Sequence, residues 1–106
     1  MVLERVLPAD ELWDGEMRGA IVRGRRVLLV KIEGKVCAYE DRCAHLGLPV
    51  SDGRLENGVI TCRAHHFQYD AGTGRGVNPR SVCLQAFPVT AEDGWLSIDV
   101  ERKGVK

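Results

Sequence analysis

The chain has 106 residues, of which 44% are hydrophobic and 28% are charged, the composition of one soluble globular domain rather than of a disordered or fibrous chain. Fifteen basic residues balance fifteen acidic ones, which argues against a nucleic-acid-binding protein because that class carries a basic excess. The purest apolar run, residues 27–30, is far shorter than the ~20 residues of a transmembrane helix. Since the N-terminus has no basic segment followed by an apolar one, we expect no signal peptide and a cytoplasmic location.

The first forty residues predict short strands joined by turns. A proline followed by acidic residues favours a single helical turn over residues 8–13. Two apolar segments, 27–32 and 35–39, flank the pair Glu33-Gly34, which is typical of a tight hairpin turn. The beginning of the chain therefore predicts a β-hairpin.

The middle of the chain differs from its two ends. Residues 42–78 are rich in Gly, His and Cys, and they contain one obvious strand, at residues 58–61. Residues 95–100 follow a Glu-Asp-Gly turn and predict a strand whose even-numbered positions form an apolar face. Short strands at this spacing indicate an antiparallel sandwich or barrel. Few residues of the loop-rich middle can offset their ordering entropy by burial, so we expect another interaction to hold that segment together.

Two short motifs in this middle segment pair a cysteine with a histidine. The first is Cys43-Ala44-His45 and the second is Cys62-Arg63-Ala64-His65, with sixteen residues between His45 and Cys62. That separation is long enough for a strand and two turns to bring the loops face to face. Each loop offers one thiolate and one imidazole, which are ligands suited to zinc or to an iron–sulfur cluster.

Two kinds of metal site use this set of ligands. A structural zinc site holds two cysteines and two histidines, but zinc-finger spacing usually pairs Cys with Cys and His with His on separate elements. A binuclear cluster with two cysteines on one iron and two histidines on the other requires loops that mix the two, as these loops do. The spacing favours the cluster and leaves zinc as the alternative.

Cys43-x-His45 followed by Cys62-x-x-His65 resembles the signature of the Rieske [2Fe–2S] family. The likeness covers nearly the whole chain, from about residue 4 to residue 100. Within that family, the chain is most similar to the small ferredoxins that serve bacterial toluene-type multicomponent monooxygenases. The segments that carry this closer likeness are residues 12–17, 58–65, 72–79, 83–84 and 87–89.

The resemblance implies one Rieske-type [2Fe–2S] cluster. Cys43 and Cys62 would hold the inner iron, while His45 and His65 would hold the outer iron near the surface. The implied fold is all-β, a Rieske-type antiparallel β-sandwich or barrel with a small cluster-binding subdomain of two loops at one tip. We expect residues 1–106 to form a single domain, with residues 42–82 as the approximate subdomain.

The second loop departs from the commonest family pattern. Arg63 and His66 stand where proline and glycine are usual, so a ligand pair Cys62-x3-His66 can also be drawn. We favour His65 because its two-residue gap fits the motif, and we interpret His66 as an exposed or packing residue beside the cluster. A respiratory-type serine that donates to the cluster is replaced by Phe67, which predicts a reduction potential toward the low end of the range of about −150 to +300 mV.

The remaining cysteines do not fit the respiratory pattern of an extra disulfide between the two loops. Leu48 and Ala64 appear at the places of that disulfide, so the resemblance implies that the chain lacks this clamp. Cys37 and Cys83 lie outside the loops, and we interpret them as buried reduced thiols that behave as small apolar residues.

The implied function is one-electron transfer, because the chain carries no evident catalytic motif and is too short for a substrate domain. The resemblance implies an NADH-dependent flavin reductase as donor and the diiron hydroxylase of an aromatic-hydrocarbon monooxygenase as acceptor. A ferredoxin of a ring-hydroxylating dioxygenase, the small subunit of a nitrite reductase and a structural zinc module for protein interaction are the alternatives. We expect a monomer whose mildly basic cluster end docks partners through Leu46, Pro49, Arg63 and His66.

Overall fold

The computed structural model describes residues 4–43, 49–63 and 67–100, and these residues form three antiparallel sheets. The strands are β1 (Glu4–Pro8), β2 (Met17–Val22), β3 (Arg25–Ile32), β4 (Lys35–Glu40), β5 (Arg54–Glu56), β6 (Val59–Thr61), β7 (Gln68–Asp70), β8 (Gly76–Asn78), β9 (Ala86–Phe87), β10 (Val89–Glu92) and β11 (Trp95–Ile98). Their orders are β1-β11-β10, β2-β3-β4-β9 and β5-β6-β7-β8. The predicted all-β antiparallel fold is confirmed.

Two short 3₁₀ helices complete the described elements. Ala9–Glu11 lies within the segment predicted to form one helical turn, and Val50–Asp52 precedes β5. Within the described ranges, neither helix is long enough to cross a membrane.

Strand β3 lies between two hydrophobic cores. Its residues alternate, so that Val27 and Leu29 belong to one buried cluster while Leu28 and Val30 belong to the other. All four are fully buried, which explains why this segment is apolar at every position rather than at every second one. The first core also takes in the apolar face predicted for the last strand, with Leu96, Ile98 and Val100.

Two-residue turns close the predicted hairpin and a second one near the end of the described chain. Glu33-Gly34 joins β3 to β4 with φ angles of 51° and 79°, and Asp93-Gly94 joins β10 to β11 with φ angles of 51° and 78°. Two successive left-handed residues make the turn that matches the twist of an antiparallel pair, and glycine occupies the second position at no steric cost. The predicted hairpin of β3 and β4 is confirmed, and so is the predicted turn before the last strand.

The loop-rich middle contains more regular structure than its sequence predicts. β5, β7 and β8 join the one predicted strand, β6, in a four-stranded sheet. Each has three residues, too few for an alternating pattern to stand out. The segments that would hold the cluster are therefore anchored on a sheet, which packs its buried residues Ile60 and Tyr69 into the second core.

Candidate metal centre

Cys43 and Cys62 share one buried apolar cluster although eighteen residues separate them in the sequence. Cys43 follows the end of β4 and is 1% exposed, whereas Cys62 directly follows β6 and is 0% exposed. The other buried members of the cluster are Leu28, Val30, Tyr39, Val50, Ile60, Tyr69, Ala71 and Leu84. The structure thus brings together the two predicted cysteine ligands.

The two buried cysteines suit a metal. An ionised thiol in apolar surroundings is costly unless a cation compensates its charge, and a coordinated metal supplies that charge. Thiolate sulfur is a ligand of iron–sulfur clusters and of zinc. Cys43 and Cys62 therefore fit the sulfur half of a [2Fe–2S] site.

The predicted imidazole ligands, His45 and His65, lie outside the described residues, as do Leu46 and His66. Within the ranges that are described, no three His, Cys, Asp or Glu side chains come close enough together to hold a metal ion. The choice of His65 over His66 as a ligand therefore stays a prediction.

Tyr69 contacts the site, although no sequence pattern assigned it a role. Its phenol oxygen lies 3.6 Å from the Cys43 sulfur, and its side chain is fully buried on β7. A metal-bound thiolate has no proton to give, so with Cys43 in that state the phenol is the donor. A hydrogen bond to the sulfur stabilises negative charge there and raises the reduction potential of a cluster. The sequence signal that could have indicated this contact was the presence of a tyrosine shortly after the second Cys-His motif.

Asp41 and Ser51, which stand on either side of Cys43 in the chain, are joined by hydrogen bonds. The Asp41 carboxylate accepts hydrogen bonds from the Ser51 backbone N–H at 2.8 Å and from its hydroxyl at 2.6 Å. Asp41 is 4% exposed and precedes Cys43 by two residues. Gly19 on β2 packs over this pair, because a Cβ there would lie 2.8 Å from the Ser51 hydroxyl oxygen.

Backbone contacts hold the residues on either side of the second predicted ligand loop. The Cys62 N–H donates to the carbonyl of Phe67 at 2.6 Å, which joins the two sides of the predicted ligand loop. The Phe67 side chain packs against the second core. Gly53 lies so close to Thr61 that a Cβ would overlap the Thr61 carbonyl oxygen, so only glycine allows the chain after Val50–Asp52 to approach the end of β6.

Tyr39 supports the turn that follows β7. Its hydroxyl donates to the Ala71 carbonyl at 2.8 Å, and the backbone of Gly74 (φ 79°) lies against its ring. Burial raises the pKa of Tyr39 above its ordinary value, and the neighbouring Cys37 and Asp70 raise it further. Tyr39 therefore stays a neutral donor.

The two other cysteines are less buried than predicted. Cys37 is half-buried with its sulfur 3.7 Å from the Gly72 carbonyl oxygen, while Cys83 is exposed. The prediction that Cys83 is buried is wrong, because the segment that carries it runs along the surface. None of the four cysteines is in a disulfide.

Exposed cations flank the buried cysteines. Arg42 and Arg63, the neighbours of Cys43 and Cys62, are both exposed, and neither forms an ion pair with any described residue. Pro49, which was predicted to contact partners, is half-buried. Each of the two buried cysteines thus has an exposed arginine beside it in the chain.

Comparison with known proteins gives concordant matches over most of the chain. Residues 3–88 match the family described as the Rieske [2Fe–2S] domain. The ferredoxin component of an alkene monooxygenase system from Xanthobacter autotrophicus is 44% identical over 97 residues, which cover 91% of this chain and 80% of that protein. The ferredoxin component of a naphthalene 1,2-dioxygenase system from Pseudomonas aeruginosa is 32% identical, with 85% and 88% covered.

A solved structure of similar shape supports the fold. The complex of reduced oxygenase and oxidized ferredoxin in carbazole 1,9a-dioxygenase contains a chain that matches with a TM-score of 0.86 and 24% identity. The match covers 99% of this chain and 98% of that chain.

Proposed function

The chain belongs to the Rieske [2Fe–2S] family and carries one Rieske-type cluster, and on that premise we propose that it is the ferredoxin component of an oxygenase system. It accepts one electron from a reductase and delivers it to an oxygenase component. The chain is itself a carrier and not an enzyme. The observation that carries the proposal is the convergence of Cys43 and Cys62 in one apolar cluster with the Tyr69 phenol on a cysteine sulfur.

The ligands in this proposal are Cys43 and Cys62 on one iron and His45 and His65 on the other. When bound, the cluster supplies a site that gains and loses one electron, and two imidazoles in place of two thiolates raise its potential. The protein excludes water from the cysteines and fixes both segments, through Asp41 on one side and the Cys62–Phe67 backbone bond on the other. We also propose that residues 42–82 form the cluster-binding subdomain of a single domain spanning residues 1–106.

The proposed donor is an NADH-dependent flavin reductase, and the proposed acceptor is the diiron hydroxylase of a hydrocarbon monooxygenase, all in the cytoplasm. The support is the 44% identical relative, which is a component of a monooxygenase system. That relative is named for alkenes, so the acceptor's substrate is either an alkene or the aromatic hydrocarbon implied by the resemblance. A ring-hydroxylating dioxygenase is the second candidate acceptor, since the 32% identical relative serves one.

The test of the carrier is spectroscopic. Protein purified without air should be red-brown, contain two irons and two acid-labile sulfides per chain, and give an EPR signal after reduction by dithionite. Colourless, EPR-silent protein that contains zinc would refute the proposal.

The test of the acceptor is a reconstitution. The reduced protein is mixed with a diiron monooxygenase hydroxylase or with a ring-hydroxylating dioxygenase. The oxygenated product is then measured, an epoxide from an alkene or a hydroxylated compound from an aromatic hydrocarbon. Product with the dioxygenase alone would contradict the monooxygenase assignment and leave the carrier function intact.

A further inference from the structure

A surface groove of about 1010 Å³ lies between β4 and the segment of residues 70–83. That segment is held in place by backbone hydrogen bonds of 2.8 Å from Gly76 to Val82 and from Leu84 to Gly74. Apolar side chains line much of the groove, among them Val36, Ala38, Val82, Phe87 and Val89. Val77, also in the lining, is 44% exposed, so that the apolar surface continues out of the groove to the solvent.

Three cations stand in the lining of the groove. Lys35, Arg75 and Arg80 are all exposed, and none of them makes an ion pair with a described residue. Several other arginines of the described chain do pair with carboxylates, as Arg5 does with Asp93 at 3.9 Å. The groove therefore combines apolar surface with positive charge that has no acidic partner within the described molecule.

The acidic side chain in the described lining does not neutralise these cations. Asp70 uses one carboxylate oxygen to accept the backbone N–H groups of Gly72 and Thr73, at 2.8 and 3.2 Å. These bonds fix the turn after β7 and turn that oxygen toward the backbone. Three cations against one engaged carboxylate leave the groove positive.

We propose that this groove is the docking surface for an acidic segment of a partner protein that also carries apolar side chains. The inference rests on the proposed function, because a carrier must recognise both a donor and an acceptor. A protein segment is favoured over an enclosed small molecule because the apolar surface extends past the groove to the exposed Val77. The carboxylates of that segment pair with Lys35, Arg75 and Arg80.

The groove is separate from the cysteine segments yet adjoins them through the backbone. Neither Cys43 nor Cys62 lines it. Tyr39 and Asp70 do line it, and Tyr69, the neighbour of Asp70, contacts the Cys43 sulfur. One partner can therefore be held at the groove while the cluster end is presented for electron transfer.

The first experiment needs no assumption about electron transfer. Cys83 lines the groove and is exposed, so its alkylation by N-ethylmaleimide in the holoprotein, followed by mass spectrometry, reports occupancy. A peptide of alternating glutamate and leucine should slow the alkylation of Cys83, and its glutamine counterpart should not. The double variant Arg75→Gln/Arg80→Gln should lose the protection, while Arg5→Gln/Arg23→Gln, with the same loss of charge outside the groove, should keep it. Absence of protection in the wild-type protein, or equal protection in both variants, would overturn the proposal.

The second experiment uses the partner proteins. Reduction by the reductase and oxidation by the oxygenase component are followed by stopped flow at low ionic strength. Arg75→Gln/Arg80→Gln should weaken the apparent affinity for one partner by roughly three- to thirtyfold, as expected for two exposed ion pairs, with the control double variant unchanged. Equal affinities of both double variants for both partners would overturn the proposal. A wild-type protein that dithionite reduces but neither partner recognises would refute the proposed function, and the peptide experiment would then decide on the groove.

Discussion

The carboxylate of Asp41 holds both the backbone N–H and the hydroxyl of Ser51, at 2.8 and 2.6 Å, and so joins the two ends of the segment that begins with Cys43. Respiratory Rieske proteins carry a disulfide between the two loops, and this chain has Leu48 and Ala64 at the corresponding places. The Asp41–Ser51 pair closes the first of these segments by hydrogen bonds instead. Because the pair is largely buried, the loss of either hydrogen bond should weaken the retention of the cluster.

Ser51→Ala should therefore speed the release of iron. The substitution leaves a buried carboxylate short of one donor, at a cost of ~1–3 kcal/mol to folding stability. Iron release to a ferrous chelator should be faster than in the wild-type protein. Ser97→Ala, which removes another buried hydroxyl, on β11, is the control and should release iron at the wild-type rate. Equal rates in the two variants would show that the pair does not hold the segment.

Tyr69→Phe should lower the reduction potential of the cluster. The phenol donates to the sulfur of Cys43, and that bond is stronger when the added electron makes the sulfur more negative. A differential of ~1–2 kcal/mol corresponds to a decrease on the order of 40–90 mV for a one-electron couple. Redox titration followed by the visible spectrum measures it. Tyr39→Phe removes a hydroxyl that bonds to a carbonyl rather than to sulfur, and its potential should stay near the wild-type value.

Gly74→Ala should destabilise the fold much more than Gly34→Ala. Both glycines have φ of 79°, so the backbone strain of an alanine is the same at the two positions. At Gly34 the new Cβ meets open space, whereas at Gly74 it lies 2.7 Å from a ring carbon of Tyr39. We expect ~1–3 kcal/mol of additional destabilisation at Gly74, as for other overpacked core positions. Urea unfolding of both holo variants measures the difference, and equal midpoints would contradict the contact.

The stability should fall at alkaline pH through Tyr39. Since burial raises the pKa of Tyr39 in the folded protein, the unfolded chain releases this proton first as the pH rises. Stability from this group is fully present below its unfolded pKa of about 10 and is lost progressively above that value. The free energy of unfolding measured between pH 8 and about 11 should decline less steeply in Tyr39→Phe than in the wild-type protein. Parallel declines would show that Tyr39 is not the group responsible.

The sequence predicted the parts of the fold that local chemistry determines. Glu33-Gly34 and Asp93-Gly94 are recognisable turns because a two-residue hairpin needs left-handed residues, and both form as expected. The strands β5, β7 and β8 escaped prediction because their stability comes from neighbouring strands and not from a pattern within three residues.

The functional site, like the fold, could be predicted from the sequence only in part. Cys43 and Cys62 were found from spacing alone, and the family match agrees with the cofactor inferred from them. The roles of Tyr69 and of the Asp41–Ser51 pair depend on contacts between segments that lie ten or more residues apart, which no local pattern encodes.

Strand β3 places adjacent residues in opposite cores, with Leu28 packed beside the cysteines and Leu29 packed against the terminal sheet. Because these two residues are adjacent in one strand, unfolding of either core disrupts the strand on which the other core depends. Loss of the metal therefore reaches beyond the loops that bind it, because the second core supports the same strand from which the first core is built. We expect the whole chain to melt in one cooperative transition whose midpoint rises when the cluster is present.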